Sequence, residues 1–447
     1  MKRAGTSLIA AAAVATALFA LAATASAYPV TGRIAPHAFV AAQAPPSTQD
    51  CRTQLGISCY SPNQLQTAYD LKPLYANGLT GKGRTIVIVD SFGSPTIADD
   101  LHQFDSDFGL PDPPSLKVIQ PAGAVPPFDG TNDDMVGWAF ETTLDVEYAH
   151  SMAPGANILL VETPVAETEG VTGFPEIVKA ENYVINHNLG DVITQSFGAT
   201  EETFPSKASI FGLRSAYQNA ALRSVTVLAS SGDTGSTDYK LNGVDVYDRQ
   251  VNSWPSSDPL VTSLGGTQLH LDEAGNREAP DNVWNDIPVG IDAAGGGGPS
   301  HVFPRPIFQL GTRTGSGLAR ATPDISMSAA VDGGVLVYLT FPGLDPGYYI
   351  VGGTSEASPL FSGVVAIADQ IAGRRLGWIN PRLYALGSNA SRGVVDVTSG
   401  DNTFTLLDED GNPVFTVPGF TADRGYDMAS GLGTVDAARF THALAGR

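Results

Sequence analysis

The chain alternates short, continuous apolar runs with segments whose apolar residues recur at helical spacing. The apolar runs predict strands at residues 85–89, 158–161, 192–196 and 225–229. The amphipathic segments predict helices at residues 97–108, 136–150, 176–187, 209–222 and 355–372. Because uninterrupted apolar strands between helices are typical of a parallel sheet covered on both faces, the pattern predicts an α/β fold with a mainly parallel central sheet.

Three further segments set the domain organisation. Residues 269–278 and 404–417 place turn residues between alternating apolar and polar positions, so each predicts a peripheral hairpin. Residues 28–60 are rich in Pro, Ala and Gln without periodicity, and they predict a lead-in segment before one domain at residues 61–447. In such folds we expect functional side chains at the carboxyl ends of the parallel strands.

The N-terminal residues 1–27 have the organisation of a secretory signal peptide. Lys2 and Arg3 precede an apolar stretch at residues 8–23, and the small residues 25–27 (ASA) form a cleavage motif. The stretch is short for a membrane span and no stop-transfer charges follow it, so export is favoured over a membrane anchor. We therefore expect a secreted, extracellular mature chain with no membrane attachment after signal cleavage.

The two cysteines of the chain, Cys51 and Cys59, lie close together in sequence. An oxidising compartment outside the cell favours their pairing in a disulfide that closes one small loop. No histidine lies between them or beside them, so a metal site built on this pair is disfavoured.

Composition narrows the classes of partner. The 447 residues are 43% hydrophobic and 16% charged, which suits a large buried core and excludes a disordered acidic tail. Lys and Arg number 25 against 46 Asp and Glu, so the formal net charge is 25 − 46 = −21. Such an acidic chain repels nucleic-acid phosphate and anionic lipid, so neither is an expected partner. A monomer is the default expectation.

Residues 352–359 (GGTSEASP) carry the strongest local signal for chemistry. Ser355 follows a glycine pair and opens a predicted helix, whose N-terminal N–H groups can stabilise an oxyanion. Pro359 is expected in the first turn, where its missing N–H costs nothing. A nucleophilic Ser355 and a Ser355 that merely caps the helix both stay open from this segment alone.

The histidines offer no clear base for Ser355, because none has a glycine-rich context. His150, near the end of a predicted helix, is expected to face solvent or to cap that helix. Glu141 and Asp145 are better candidates, since they lie four residues apart on one helix face among apolar residues, with no Lys or Arg at helical spacing. Their coupled titration would raise one pKa, as an acid/base site requires.

Asp233 lies between glycines in a turn that follows the predicted strand at residues 225–229. An Asp in such a turn commonly caps its own backbone. When protonated, however, its carboxyl group can donate a hydrogen bond to a developing oxyanion.

With these residues the chain resembles the sedolisin family, the serine-carboxyl peptidases, over about residue 61 to the C-terminus. The motifs around Glu141 and Asp145, around Asp233 and around Ser355 occur in the family's order. The resemblance implies a subtilisin-like three-layer α/β/α sandwich with Ser355 as nucleophile, Glu141 as general base and acid, Asp145 orienting Glu141, and Asp233 as oxyanion donor. It also implies that residues 196–198 (SFG) line the groove for a polypeptide substrate. The predicted enzyme is a serine-type peptidase, an endopeptidase, active in acid.

The resemblance further implies one structural calcium ion near the C-terminus. Asp396, the carbonyl group of Val397, and the loop residues Asp423, Gly425 and Asp427 match the family's ligands. Asp423 replaces the first glycine of the family motif, but only its carbonyl oxygen is needed. Carboxylates, carbonyls and water are the hard oxygen ligands that calcium takes.

Two alternatives stay open at this point. A catalytically silent member of the same fold would act as an extracellular binding module, and the absence of the family's usual long propeptide between residue 27 and the domain favours it. A Ser-His-Asp hydrolase would combine Ser355 with Asp90 and a distant histidine such as His301. Without a matching histidine motif, Asp90 is expected to have a supporting role.

Overall fold

The computed structural model describes residues 37–40, 44–408 and 411–447, with the backbone alone for the first of these ranges. The predicted signal peptide, residues 1–27, lies outside the described residues. The strands within them are β1 His37–Val40, β2 Cys59–Tyr60, β3 Thr85–Ser91, β4 Leu116–Ile119, β5 Asn157–Thr163, β6 Val192–Gln195, β7 Ala199–Thr200, β8 Thr226–Ser230, β9 Ser253–Trp254, β10 Thr262–Gln268, β11 Asn282–Val283, β12 Gly298–Pro304, β13 Ala319–Thr322, β14 Ile325–Ser328, β15 Gly334–Leu339, β16 Gly347–Val351, β17 Val394–Val395, β18 Phe404–Leu407, β19 Pro413–Val417 and β20 Thr434–Val435.

The helices follow the predicted amphipathic segments and add several short ones. They are α1 Thr48–Gln54, α2 Pro62–Ala68, α3 Lys72–Ala76, α4 Ile97–Phe108, α5 Asp133–Met152, α6 Phe174–Asn186, α7 Lys207–Leu213, α8 Ser215–Leu222, α9 Thr354–Ala372, α10 Asn380–Leu386 and α11 Ala437–Ala445. Short 3₁₀ turns occur at Glu201–Thr203, Ile287–Val289, Ile307–Gln309 and Ala390–Arg392.

The central sheet has the strand order β11-β10-β8-β6-β3-β5-β4, and β14 also pairs with β10. Every pairing in it is parallel except that of β10 with β11. Parallel neighbours need crossover connections, and α4, α6 and α8 lie between successive strands as such connections do. The predicted α/β fold with a mainly parallel sheet is confirmed.

Each face of the sheet carries its own hydrophobic core, which makes three layers. In β3, Ile86 and Ile88 belong to the core under α5 and α9, whereas Val87 and Val89 belong to the core under α6 and α8. Side chains of a strand alternate between faces, so a strand covered on both sides must be apolar at every position. This explains the continuous apolar runs of the sequence.

The N-terminal segment contributes strands to a sheet of the domain, which its composition does not predict. β1 and β2 pair with β16 and β15 to form a second, four-stranded sheet. The predicted disulfide between Cys51 and Cys59 is present and ties α1 to β2.

Two predicted elements differ from the structure. The helix expected at residues 209–222 is two helices, α7 and α8, that meet at Arg214, whose guanidinium binds the Asp258 carboxylate at 2.5 and 2.8 Å. The hairpin expected at residues 269–278 is a tight turn with one antiparallel pair, because Asp272 accepts hydrogen bonds from backbone N–H groups within the turn. The second hairpin, β18 with β19, is confirmed.

The topology brings several candidate functional residues to one edge of the sheet. β8, β6 and β3 are neighbours, and near their carboxyl ends lie Asp233, Ser196 and Asp90. Helices α5 and α9 pack against each other on one face and carry Glu141 and Ser355. Within the residues that the structure describes, no helix combines the length and apolar character needed to cross a bilayer.

Candidate active site

Ser355 lies in the first turn of α9, and Gly353 is the residue that caps this helix. Gly353 has a φ of +105°, a backbone conformation that residues other than glycine rarely adopt. A Cβ atom on Gly352 would lie 2.5 Å from the carbonyl oxygen of Ala329, so this position is also restricted to glycine. The alternative in which Ser355 is the capping residue is therefore wrong, and its hydroxyl is available for other contacts.

Pro359 lies inside α9 rather than in its first turn, so the expectation for this residue is corrected. A proline has no N–H, and the carbonyl that it leaves without a helical partner is that of the residue four positions earlier, Ser355. The hydroxyl oxygen of Ser196 lies 3.2 Å from this carbonyl oxygen. Ser196, directly after β6, is thus the polar side chain that contacts this carbonyl beside the candidate nucleophile.

Glu141 and Asp145 lie one turn apart on α5, and both are buried. The hydroxyl group of Ser355 lies beside the carboxyl group of Glu141 and acts to lower the pKa of that group. Ser196 lies 2.7 Å from Asp145 through its hydroxyl oxygen and Oδ1 of the aspartate. The structure therefore brings Ser355, Glu141 and Asp145 together, with Ser196 between α5 and α9.

Burial dominates the electrostatics of this cluster. It raises the pKa of Glu141 and of Asp145 well above their ordinary values, and the charge of Asp90 raises both further. Burial also raises the pKa of Asp90 to about 7. Among the ion pairs of the described residues, none joins a Lys or Arg to these three carboxyl groups. Buried carboxyl groups without a cation share protons, so we expect the cluster to ionise in successive steps.

Asp233 faces the start of α9. Its Oδ1 accepts hydrogen bonds from the backbone N–H of Thr354 at 2.7 Å and from the Thr354 hydroxyl at 2.8 Å. The backbone N–H of Gly232 in turn donates to the Thr354 hydroxyl oxygen at 3.0 Å. The charge of Asp233 contributes to the raised pKa of Glu141, which places the two carboxyl groups in one electrostatic site. The structure thus holds Asp233 against the residue that precedes Ser355.

The histidines lie outside this cluster. His150 is completely buried, and its Nε2 lies 2.8 Å from the carbonyl oxygen of Pro111 and 3.3 Å from Asp105. The expectation of a solvent-facing or capping role was wrong because α5 is buried along nearly its whole length. His301 pairs with Glu202 at 2.5 Å. In the part of the chain that the structure describes, the hydrogen bonds of the histidine rings go to residues other than Ser355.

The five residues predicted to hold calcium lie in two segments, 396–397 and 423–427, which meet where Asp396 contacts Gly425. Both carboxyl oxygens of Asp396 accept from the backbone N–H of Gly425, at 3.2 and 3.0 Å. Asp427 accepts from the N–H groups of Asp423 and Ser430 at 3.1 and 2.8 Å. No group of three or more His, Cys, Asp or Glu side chains is arranged for a metal in the described ranges. A cation here would need backbone carbonyls such as that of Val397 beside the carboxylates.

Comparison with known proteins is consistent with this geometry. Residues 130–383 match Peptidase S8, the subtilase family, over more than half of the chain. Kumamolisin of Bacillus sp. (strain MN-32) is 30% identical over 87% of this chain and 64% of its own length. The solved structure of Pseudomonas sedolisin, a serine-carboxyl proteinase complexed with two molecules of pseudo-iodotyrostatin, matches with a TM-score of 0.69 and 28% identity over 88% of this chain and 99% of that chain. The chain belongs to the sedolisin family of the subtilases.

The chain matches only part of the length of its relatives. The chain spans 64% of kumamolisin and 50% of tripeptidyl-peptidase 1 of Homo sapiens, to which it is 30% identical over 66% of its own residues. The subtilisin-like fold and the family are established by these matches together with the central sheet.

Two residues of this sedolisin-family site, Ser196 and Thr354, make contacts that the sequence did not predict. The groove role of Ser196 stays a prediction, and its side chain has a further set of contacts, with Asp145 and the Ser355 carbonyl group. Thr354 was not singled out, although its N–H and hydroxyl groups hold Asp233. The available signal was position, since Ser196 ends a predicted strand and Thr354 precedes the predicted nucleophile. Asp90, expected to have a supporting role, lies close enough to influence both Glu141 and Asp145.

Proposed function

We propose that this protein is a secreted serine-carboxyl endopeptidase that cleaves polypeptides in acid through an acyl-enzyme. The observation that carries the proposal is the position of the Ser355 hydroxyl beside the Glu141 carboxyl group, the pairing of a hydroxyl nucleophile with a carboxyl base that the reaction needs. Family membership supports the same reaction class. Secretion rests on the predicted signal peptide at residues 1–27, and a monomer remains the expectation.

The proposed reaction begins with attack on the scissile carbonyl carbon. As the Ser355 oxygen forms a bond to this carbon, Glu141 takes the hydroxyl proton. Asp145 stabilises and orients Glu141 through the carboxyl cluster, and Ser196 holds Asp145 by its hydrogen bond. Glu141 then gives its proton to the leaving amine, the C–N bond breaks, and an ester of Ser355 remains. Water repeats the sequence on this ester and releases the second product.

Asp233 is proposed to stabilise the oxyanion. Because Oδ1 of Asp233 accepts two hydrogen bonds from Thr354, a proton on this carboxyl group would sit on the other oxygen. That O–H would donate to the oxyanion of the tetrahedral intermediate. An ordinary aspartic acid loses its proton near pH ~3.9, so the donating form is abundant only in acid.

Two ionisations with opposite effects on the rate produce the expected optimum in acid. An unperturbed glutamate has a pKa of ~4.3. Burial raises the pKa of Glu141, so the rising limb of activity belongs to the first ionisation of the whole cluster rather than to an isolated glutamate. The falling limb belongs to the loss of the Asp233 proton and to further ionisation of the cluster. The active form therefore carries one negative charge on the cluster and a proton on Asp233.

We expect a bell-shaped pH profile for proteolysis, with its maximum below neutrality. The measurement is the initial rate of cleavage of a denatured protein by the purified mature chain from about pH 3 to 8. Ser355→Ala supplies the background at each pH. A maximum at or above neutrality would contradict the proposed mechanism. Absence of cleavage at every pH, from a folded sample supplied with calcium, would instead favour the silent binding module.

We also propose that the loop around Asp396 and Asp427 binds one calcium ion. Both carboxylates converge on the segment 423–427, and the carbonyls of Val397, Asp423 and Gly425 supply further oxygens of the type that calcium takes. A bound calcium ion would hold β17 and the loop after β19 together. It takes no part in the proposed reaction.

Calcium is therefore expected to stabilise the folded chain. At a concentration 100 times the Kd, a ligand that binds only the folded state adds about 2.7 kcal/mol. The measurement is the Tm by calorimetry in excess CaCl2 and in excess EGTA. The wild-type Tm should rise with calcium, whereas that of Asp427→Asn should not respond, and the exposed Asp112→Asn should behave as wild type. An equal Tm in calcium and EGTA would overturn the site.

A further inference from the structure

An open pocket adjoins the carboxyl cluster and has no role in the proposed chemistry. Its volume is about 160 Å³, small for a whole ligand and enough for part of one side chain, and it opens to solvent. Polar and apolar surface share its wall about equally, and the apolar part includes the side chains of Phe92, Val125, Phe128 and Met135. The one ionisable side chain in its lining is Glu162, at the end of β5.

Glu162 is positioned by its neighbours rather than mobile on the surface. It is only 7% exposed, and its Oε2 accepts a hydrogen bond from Nε2 of Gln120 at 2.8 Å. Gln120 is itself held, because its Oε1 accepts from the backbone N–H of Val125 at 3.1 Å. A Cβ atom on Gly93 would collide with the Glu162 carboxyl group, so glycine at this position lets the carboxyl group lie where it does.

The carboxyl group of Glu162 has no cationic partner within the described part of the chain, since none of the ion pairs there includes it. A largely buried carboxylate without a cation costs free energy when it ionises. A ligand cation that enters the pocket would remove this cost, whereas a second anion would add to it. The apolar part of the wall suits the methylene stem of such a ligand.

The pocket is close to the reacting groups. Glu162 is the register partner of Asp90 on the neighbouring strand, and residues 92–95 of the pocket directly follow β3. Met135 precedes Glu141 by six residues on α5, which is about 9 Å along a helix axis. An extended peptide advances by about 3.3 Å per residue, so about 9 Å corresponds to two or three residues.

We propose that this pocket is a substrate subsite that selects a Lys or Arg side chain two or three residues from the scissile bond, with the cation on Glu162. The inference rests on the proposed peptidase function, because it assigns the pocket to the substrate of that reaction. The cationic tip of a Lys or Arg side chain distinguishes it from a purely apolar side chain. Its apolar stem and its length distinguish it from the amino group at the N-terminus of a peptide.

The test compares peptides that are acetylated at the N-terminus and differ only in Lys or norleucine at one position. The acetyl group removes the amino terminus as a source of the cation. For wild type we expect kcat/KM for Lys to exceed that for norleucine by about tenfold at one position two or three residues from the cut, which corresponds to about 1.4 kcal/mol. In Glu162→Gln the ratio should fall to about one. Glu278→Gln, an exposed carboxylate paired with Arg52, is the control for net charge and should keep the wild-type ratio.

The pH dependence of this ratio adds an independent check. Burial raises the pKa of Glu162, and Asp90 on β3 is the other titratable group beside it. The preference for Lys should therefore increase as the pH rises from about 4 to 6, while effects common to both peptides cancel. A wild-type ratio of one at every position, or a Lys preference that persists in Glu162→Gln, would overturn the proposal.

Binding to an inactive chain separates the two proposals. Calorimetry with Ser355→Ala should show tighter binding of the Lys peptide than of the norleucine peptide, and the difference should vanish in Ser355→Ala combined with Glu162→Gln. If wild type cleaves neither peptide but this binding preference is present, the peptidase proposal fails and the pocket stands. If both peptides are cleaved and bound equally, the pocket proposal alone fails. The Tm of each variant establishes that it is folded.

Discussion

Replacing Glu141 by Gln is expected to lower kcat/KM for peptide cleavage by about 10³-fold, and replacing Ser355 by Ala by about 10⁴-fold or more. Gln has the shape of Glu but cannot accept the serine proton, and Ala removes the nucleophile itself. Because the two residues act as one unit, the double variant should be hardly less active than Ser355→Ala. The measurement is kcat/KM on one peptide across the active pH range.

The matched control for this prediction is His301→Asn. A Ser-His-Asp hydrolase would lose its activity in this variant and keep nearly all of it in Glu141→Gln. The structure predicts the reverse, since the Ser355 hydroxyl lies beside the Glu141 carboxyl group and His301 pairs with Glu202. Substantial activity in Glu141→Gln, from a sample that is free of wild-type enzyme, would exclude Glu141 as the base.

Replacing Asp233 by Ala is expected to cost about 10²- to 10³-fold in kcat, the usual loss when one oxyanion donor is removed. Asp233→Asn should behave differently, because an amide can accept from Thr354 through its oxygen and still donate through its nitrogen. The amide needs no proton from solution to donate. Asn is therefore expected to retain more activity than Ala, with a falling limb displaced to higher pH than in wild type.

This pair of variants distinguishes a donor from a merely structural aspartate. If Asp233 only held the start of α9 through Thr354, the two variants would change the Tm and leave the shape of the pH profile alone. A wild-type profile in Asp233→Asn, or full activity in Asp233→Ala, would contradict the oxyanion role. Both Tm values should be measured alongside the profiles.

Much of the fold follows from local sequence pattern. The predicted α4 has the same ends as the observed helix, and the predicted α5 lies within the observed one. These segments are long and strongly periodic, so neighbouring residues alone determine them. The break between α7 and α8 could not be predicted in this way, because Arg214 is held by Asp258, which is distant in sequence.

The candidate site shows the same division. Glu141, Asp145, Asp233 and Ser355 could be proposed from residue type and spacing, because each lies in an informative local context. The contact of Ser196 with Asp145 and with the Ser355 carbonyl group joins α5, β6 and α9, so it depends on the packing of three elements. The burial of His150 likewise depends on what covers the end of α5. The spacing of residues along one helix does not indicate which other elements pack over that helix.

The proposed mechanism requires that Ser355 form a covalent acyl-enzyme with Glu141 as base. The most direct measurement is rapid acid quenching of the enzyme with an activated peptide ester, followed by mass spectrometry of the digested protein. We expect an acyl group on the peptide that contains Ser355, formed with a burst of the first product, and none in Glu141→Gln over the same time. A burst with the acyl group on another residue would contradict this mechanism.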